Sequence, residues 1–319
     1  MMKMSLNDLI APRVAFGNAL VELGAEYENL VVLDADVAPS TQTHLFRDAY
    51  PDRFYEIGIA EQNMTGIAAG LSTMDLIPFI STFAVFITHR AGDQIRNSIA
   101  YPRANVKING AYGGLPTGAA GATHSSVEDV AIIRSIPNII ILEPADARET
   151  ELCTRLALEI EGPVYLRTVR CDVPVIFDEN HKVQIGKAVK IKDGKDISII
   201  STGMMTPKAL EASSRLESLG VSVKLIHMPC IKPIDNLAIQ EAAELTGTII
   251  TVENHSIIGG LGSAVCEIVA ESCPCKVFRL GFQDIFLESG NDEVLFGKYG
   301  MNTQNIVDKA IGIIKKKRN

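Results

Sequence analysis

The chain has 319 residues, and 30 Lys and Arg against 38 Asp and Glu leave a formal charge of −8, which argues against nucleic acid as a bulk electrostatic partner. With 47% hydrophobic and 21% charged residues it has the composition of a globular protein of about two domains, which excludes disorder as its main state. The longest apolar stretch, Ile77 to Ile87, is broken by Pro78, Ser81 and Thr82 and falls short of the ~20 clean residues of a membrane span.

The opening MMKMSLNDLIAPR has no sustained apolar region and no small-residue cleavage site, so no secretory signal is expected. Ser5 with Asp8 resembles a capping box for a helix running through Val14, Leu20 and Leu23. Strands are then predicted at Leu30 to Leu33, Phe54 to Ile57, Ile77 to Ile80, Val106 to Asn109, Asn138 to Leu142 and Val164 to Arg167. Between them lie helical segments at Gln62 to Leu71, Phe83 to Arg96, Val127 to Ser135 and Arg148 to Ile160.

From about Asp172 to Asp196 charge rises and turn signals appear at Asp178-Glu179-Asn180 and Asp193-Gly194, which places a boundary there. Alternation resumes with strands Ile197 to Ser201, Val221 to Ile226, Thr248 to Val252 and Val277 to Leu280, and helices after Pro207, after Gly260 and up to Lys316. The predicted class is α/β. A parallel sheet with helices on both faces occupies residues 1–175, a linker residues 176–194, and a smaller α/β domain residues 195–319. Six cysteines do not make a dense disulfide framework, which suits a reduced, cytoplasmic setting.

Ligands of open α/β sheets bind beyond the carboxyl ends of the strands. Four such segments carry usable chemistry. Asp34-Ala35-Asp36-Val37-Ala38-Pro39-Ser40 could hold a ligand through carboxylate and hydroxyl groups, or form a turn and cap the next helix. Glu61 in Gly58-Ile59-Ala60-Glu61-Gln62-Asn63-Met64 either complements a helix dipole or, among Ile57, Ile59, Met64 and Ile67, is an acid withdrawn from water that shares a proton with a basic ligand nitrogen.

Phe83, Phe86 and His89 recur at a spacing of three and would share one helical face, either as core or as a docking face for a flat heterocycle. The run from Gly113 to Ser126 is rich in glycine and ends in Thr123, His124 and Ser125 at a helix start, which suits either an anion site or a plain mobile loop. Gly259-Gly260-Leu261-Gly262 is read as a close-packed helix start rather than a dinucleotide fingerprint, and Cys273-Pro274-Cys275 lacks the second cluster of a zinc site.

Tyr55-Glu56-Ile57-Gly58-Ile59-Ala60-Glu61-Gln62-Asn63, Ser81-Thr82-Phe83, Asp93-Gln94-Ile95-Arg96, Gly121-Ala122-Thr123-His124 and Glu143-Pro144-Ala145-Asp146 follow one another in an order that resembles the carboxyl-terminal half of transketolase, in the form split over two chains. The resemblance implies a thiamine diphosphate enzyme that moves a two-carbon ketol group from a ketose phosphate to an aldose phosphate through a cofactor carbanion. This chain would be its pyrimidine-binding and C-terminal part. The family's GDG…N motif, which holds the diphosphate and a Mg2+ or Ca2+ ion, does not occur here. No metal ligands are therefore assigned to this chain, and an N-terminal transketolase subunit is the implied partner. Homodimerisation within a heterotetramer is implied as well.

Residue by residue, Glu61 matches the glutamate that meets a pyrimidine ring nitrogen, and Phe83, Phe86 and His89 match positions packed on the pyrimidine. Asp36 and Ile59 complete the implied cofactor-binding set. Arg13, Ser40, Tyr112, His124 and Arg170 match positions that contact the sugar phosphate, with His124 also catalytic. Ala120 and Tyr112 stand where the family carries an acid and a second histidine, which leaves the donor and acceptor sugars open. Alternatives of the same cofactor class are a subunit similar to deoxyxylulose-phosphate synthase or an oxo-acid dehydrogenase β chain. A further alternative is a non-catalytic paralogue.

Overall fold

The computed structural model describes residues 4–115 and 117–318, the side chain of the last excepted. The chain runs through β1 (Leu9–Ile10), α1 (Pro12–Glu26), β2 (Leu30–Asp34), α2 (Ala38–Thr41), α3 (His44–Ala49), β3 (Phe54–Glu56), α4 (Glu61–Ser72), β4 (Ile77–Phe83) and α5 (Ala84–Arg90). It continues through α6 (Gly92–Gln94), a wider-pitched turn at Ile95–Ala100, β5 (Lys107–Ala111), α7 (Asp129–Ser135), β6 (Ile140–Leu142), α8 (Ala147–Glu159), β7 (Val164–Arg167) and β8 (Val173–Pro174). Then follow β9 (Val189–Lys192), β10 (Ile197–Ser201), α9 (Met205–Ser218), β11 (Val223–His227), β12 (Cys230–Lys232), α10 (Asn236–Thr246), β13 (Thr248–Ser256), α11 (Leu261–Ser272), β14 (Lys276–Phe282), α12 (Asp292–Lys298) and α13 (Thr303–Arg318).

Strands β2 to β7 are mutually parallel in a seven-stranded sheet of order β12-β6-β7-β5-β4-β2-β3, and β12 joins its edge antiparallel to β6. The second sheet has the order β14-β13-β10-β11-β9 and is parallel except for β9. The class is α/β, as the alternation of β-branched runs and helical segments predicts. Fully buried runs such as Leu30–Asp34 and Ile197–Ser201 are what a parallel sheet covered on both faces requires.

One core layer joins Leu33, Ile80, Ile108 and Ile141 of the first sheet to Ile87, Ile95 and Ile133, and extends to Ile226, Met228 and Ile239 of the second unit. On the opposite face of the first sheet Phe16 of α1 meets Phe79 edge-on at 5.2 Å. Among the described residues no helix is long and apolar enough to cross a membrane.

Four local expectations change. Ser5 N–H does donate to Asp8 Oδ2 at 2.7 Å, but this closes a turn ahead of β1, and the helix starts at Pro12, whose fixed φ and missing N–H suit a first helical position. Phe83 ends β4 rather than starting a helix, and the stretch to Arg96 breaks at Ala91. The segment expected as a linker contains β9, which pairs with β11. Finally β12 and α10 were not expected at all, although Asp235 caps α10 by accepting from Ala238 N–H at 3.1 Å.

Candidate functional site

The carboxyl ends of β2, β3, β4 and β5 converge on one edge of the first sheet. At the end of β2 the buried Asp34 carboxylate accepts from Val37 N–H at 2.7 Å and from the Thr41 and Thr43 hydroxyls, each at 2.8 Å. Burial pushes its carboxyl up to about 6, only partly offset by these donors. Asp34 therefore shapes the 35–43 loop, the turn-forming alternative weighed from sequence. Asp36 in that loop is exposed with φ at 62°, and its N–H donates to Glu56 Oε1 at 2.7 Å. Glu56 Oε1 also accepts from Gly58 N–H at 3.0 Å, so one carboxylate ties two loops together.

Gly58, with φ at 78°, turns the chain into α4, whose first residue is Glu61. The Glu61 side chain is 3% exposed, while Ile59 beside it is 73% exposed. The Glu61 carboxylate does not stand alone: Arg90 Nη1 donates to its Oε1 at 2.8 Å, and the same guanidinium lies 4.0 Å from the centroid of the Phe86 ring.

Beside this pair the aromatic side chains gather. Phe83 stacks on Tyr112 at 4.2 Å and 24°, and packs on Phe86 at 5.6 Å. His124 meets Phe86 edge-on at 5.2 Å and Phe83 at 5.9 Å, with Thr123 Oγ1 2.9 Å from its Nδ1. His89 does not join this face. Its Nε2 pairs with Glu128 Oε1 at 2.6 Å, on the wall of a cavity of about 510 Å³ that Val85, Ala122, Ser256 and Phe286 also line.

Tyr112 is also the centre of a cationic group. Arg13 Nη1 donates to the Tyr112 hydroxyl at 3.3 Å and to the Ser40 carbonyl at 3.0 Å. Arg13 and Arg170 both lie near the Tyr112 ring, their guanidinium carbons 5.9 and 5.8 Å from its centroid. Arg13 Nε is buried without a partner, and Arg170 is exposed. The structure thus brings Arg13, Ser40, Tyr112 and Arg170 into one group and Phe83, Phe86, Tyr112 and His124 into another.

The glycine-rich loop is pinned from the second unit. Asn254 of β13 accepts from Leu115 N–H at 2.9 Å through Oδ1 and donates to the Gly113 carbonyl at 3.2 Å. Gly114 sits at φ 67°, where an added Cβ would come within 2.3 Å of the Asn254 carbonyl oxygen, so the close approach requires glycine. Beneath it Glu253 accepts from Leu261 and Gly262 N–H at the start of α11, and burial pushes its carboxyl up to about 8. The Gly259–Gly262 run is the close-packed helix start that its spacing suggests.

Arg90, Glu56 and Asn254 escape a reading of the sequence. Arg90 lies four residues after Phe86 on α5, a spacing that puts both on one face and could have flagged it. Nothing local marks Asn254, which acts 139 residues away from Leu115.

A buried carboxyl and a cluster of aromatic rings thus stand at the carboxyl edge of a parallel α/β sheet, the edge where such sheets bind their ligands. The chain belongs to the transketolase family: residues 8–175 match the transketolase pyrimidine binding domain and residues 186–306 the transketolase C-terminal domain. It is 43% identical over 307 residues to a Methanocaldococcus jannaschii protein described, by inference, as a transketolase C-terminal section, covering 95% of this chain and 96% of that one. It is 36% identical over 315 residues to Rattus norvegicus transketolase, covering 98% of this chain but 50% of the rat protein. A solved structure described as a split-gene transketolase, an inactive β4 tetramer, superposes with a TM-score of 0.89 at 46% identity, over 96% of this chain and 99% of that one.

The pyrimidine-binding domain implies thiamine diphosphate as cofactor. The donor set fits the pyrimidine half of that molecule, since Glu61 offers a buried carboxyl and Phe83 and Phe86 offer flat apolar faces beside it. Among the described residues no group of three or more His, Cys, Asp or Glu is placed to hold a metal ion.

Proposed function

We propose that this chain is the C-terminal subunit of a split, thiamine diphosphate-dependent transketolase, which transfers a two-carbon ketol group from a ketose phosphate to an aldose phosphate. The observation that carries the reading is Glu61, a carboxyl withdrawn from water at a helix start, on the strand edge where the aromatic rings gather. When bound, the cofactor supplies a thiazolium carbon that, once deprotonated, serves as the nucleophile toward a ketose carbonyl.

The chain's own residues do the rest. Glu61 holds a proton in common with a pyrimidine ring nitrogen, the task of a carboxyl held at hydrogen-bond distance and withdrawn from water. Phe83 and Phe86 pack on the ring, with Ile59 and Asp36 bordering the cofactor site, while His89, paired with Glu128, stands apart from it. Arg13 and Arg170 receive the substrate phosphate on their guanidinium forks, with Ser40 and Tyr112 beside them. His124 touches the substrate from the glycine-rich loop.

A partner chain carrying the GDG…N half supplies the diphosphate and metal site, Mg2+ or Ca2+, and enzymatic turnover depends on it. Two support this division: the split-gene description of the structural relative, and the rat enzyme's being twice as long as its matched part. Two copies of each chain, with contacts between copies of this one, are the expected assembly. The same reading divides the chain into residues 1–175 and 195–319, joined by 176–194, whose β9 adds an edge strand to the second sheet. The test is reconstitution with an N-terminal transketolase subunit, thiamine diphosphate and magnesium, followed by a panel of ketose phosphate donors and aldose phosphate acceptors. Ketol transfer with at least one pair is expected, and no turnover with any pair overturns the reading.

A further inference from the structure

Arg90 ends α5 with its side chain about half exposed, yet its guanidinium is fixed on two sides. Nη1 donates to Glu61 Oε1 at 2.8 Å, and the guanidinium carbon lies 4.0 Å from the Phe86 ring centroid. An exposed arginine usually gains little from one ion pair, because holding the long side chain still costs entropy. Here the acceptor is a carboxylate at 3% exposure, and a charge that withdrawn from water needs a countercharge or a proton.

The shape of the partner matters as much as its charge. A guanidinium is flat, delocalised and carries N–H donors along its rim. A protonated aminopyrimidine is also a flat cation with an amidine-like N–H edge. Either one satisfies Glu61 with an N–H and Phe86 with a cationic face. Two of the groups that the proposed function assigns to the heterocycle, Glu61 and Phe86, are therefore already engaged, within this chain, by a group with the heterocycle's own recognition chemistry.

We propose that Arg90 is a displaceable stand-in for the aminopyrimidine edge, one that positions the Glu61 carboxylate and must swing into solvent before the heterocycle can dock. The proposal rests on the reading of Glu61 as the carboxyl that meets the pyrimidine. Because the side chain is half exposed, it has solvent to move into without unpacking the core. Binding is then a competition, and apparent affinity falls in proportion to the fraction of sites that Arg90 leaves open.

The experiment titrates the full chain with 4-amino-5-hydroxymethyl-2-methylpyrimidine, followed by calorimetry or ligand-observed NMR. Arg90→Met, which keeps bulk and removes the cation, binds about tenfold more tightly than wild type. Arg90→Gln gives a second neutral variant, and circular-dichroism melting establishes that each is folded. Equal or weaker binding in a folded neutral variant overturns the proposal. So does a gain that survives addition of Glu61→Ala to Arg90→Met, since the carboxyl would then not be the docking group. Ketol transfer by Glu61→Ala alone, measured in the reconstituted enzyme, separately tests the functional reading, so a stand-in role can fail while the role of Glu61 stands.

Discussion

Arg167 and Asp129 meet side-on deep inside the molecule, Nε donating to Oδ2 at 2.8 Å and Nη2 to Oδ1 at 3.0 Å, with both side chains wholly buried. The same guanidinium donates to Glu143 Oε1 at 2.7 Å and, from Nη2, to the Asn254 carbonyl at 3.1 Å in β13. One cation therefore ties the end of β7 to α7 and to the second sheet. Arg167→Met strands two buried carboxylates, and a loss of about 3–5 kcal/mol is expected in urea unfolding. A loss below about 1 kcal/mol would mean that the pair contributes nothing beyond its volume.

Glu61→Ala, assembled with the partner subunit, leaves the complex intact by size-exclusion chromatography and removes most of the ketol transfer. The effect falls on kcat more than on KM, because the carboxyl acts on the cofactor rather than on the sugar. Near wild-type turnover would remove Glu61 from the proposed chemistry.

His124→Ala retains cofactor binding and raises KM for phosphorylated substrates, since the ring meets the Phe83–Phe86 pair edge-on from the glycine-rich loop. If KM is unchanged for every sugar phosphate tried, His124 does not touch the substrate.

Glu149 predicts an acid-side stability loss. It is buried in α8, with His227 Nε2 2.7 Å from Oε2 and His181 Nε2 2.9 Å from Oε1. Burial alone would raise its carboxyl, but His227 and His181 together bring it down to about 2. A depressed folded-state value gives stability that is present above pH 4.5 and lost as the pH falls toward 2. Thermal melts of wild type and Glu149→Gln should converge over that window, and parallel curves would show that the pairing carries no linkage.

Asp34 has the opposite sign. With its folded-state carboxyl raised from 3.8 to about 6, the stability it contributes is present below pH 3.8 and lost as the pH rises through 6. Wild type should lose ground to Asp34→Asn across this range, by up to about 3 kcal/mol at roughly 1.4 kcal/mol per pH unit. A difference that does not vary with pH would mean that Asp34 titrates normally in the fold.

Elements with continuous β-branched runs between turns were legible from sequence alone: β7 and β10 fall on the predicted residues, Val164–Arg167 and Ile197–Ser201. Their burial on both faces leaves no other reading of the pattern. Three-residue β12 was not legible, because the strand it pairs with, β6, lies 88 positions earlier at the Cys230–Leu142 pair. The period-three spacing of Phe83, Phe86 and His89 misled for a local reason. Phe83 is the last strand residue, so the three never share a helix, and Glu128 draws His89 aside. Tyr112 and His124 complete the aromatic group instead, a meeting that only the sheet's strand order produces. The Glu61–Arg90 pair likewise spans 29 positions and depends on α4 and α5 lying side by side.

The placement of β12 also bears on how the molecule avoids sticking to itself. Open strand edges offer unpaired N–H and C=O groups that template aggregation. Here the β6 edge is paired by three residues contributed from beyond β11, in antiparallel register with Leu142 and Ile141, so that the sheet ends in a very short strand. A fragment ending near residue 175 would keep every parallel strand of the first sheet and still expose that edge. A three-residue strand offers a much shorter template than a bare β6 edge, and a fragment lacking it is expected to self-associate through β6.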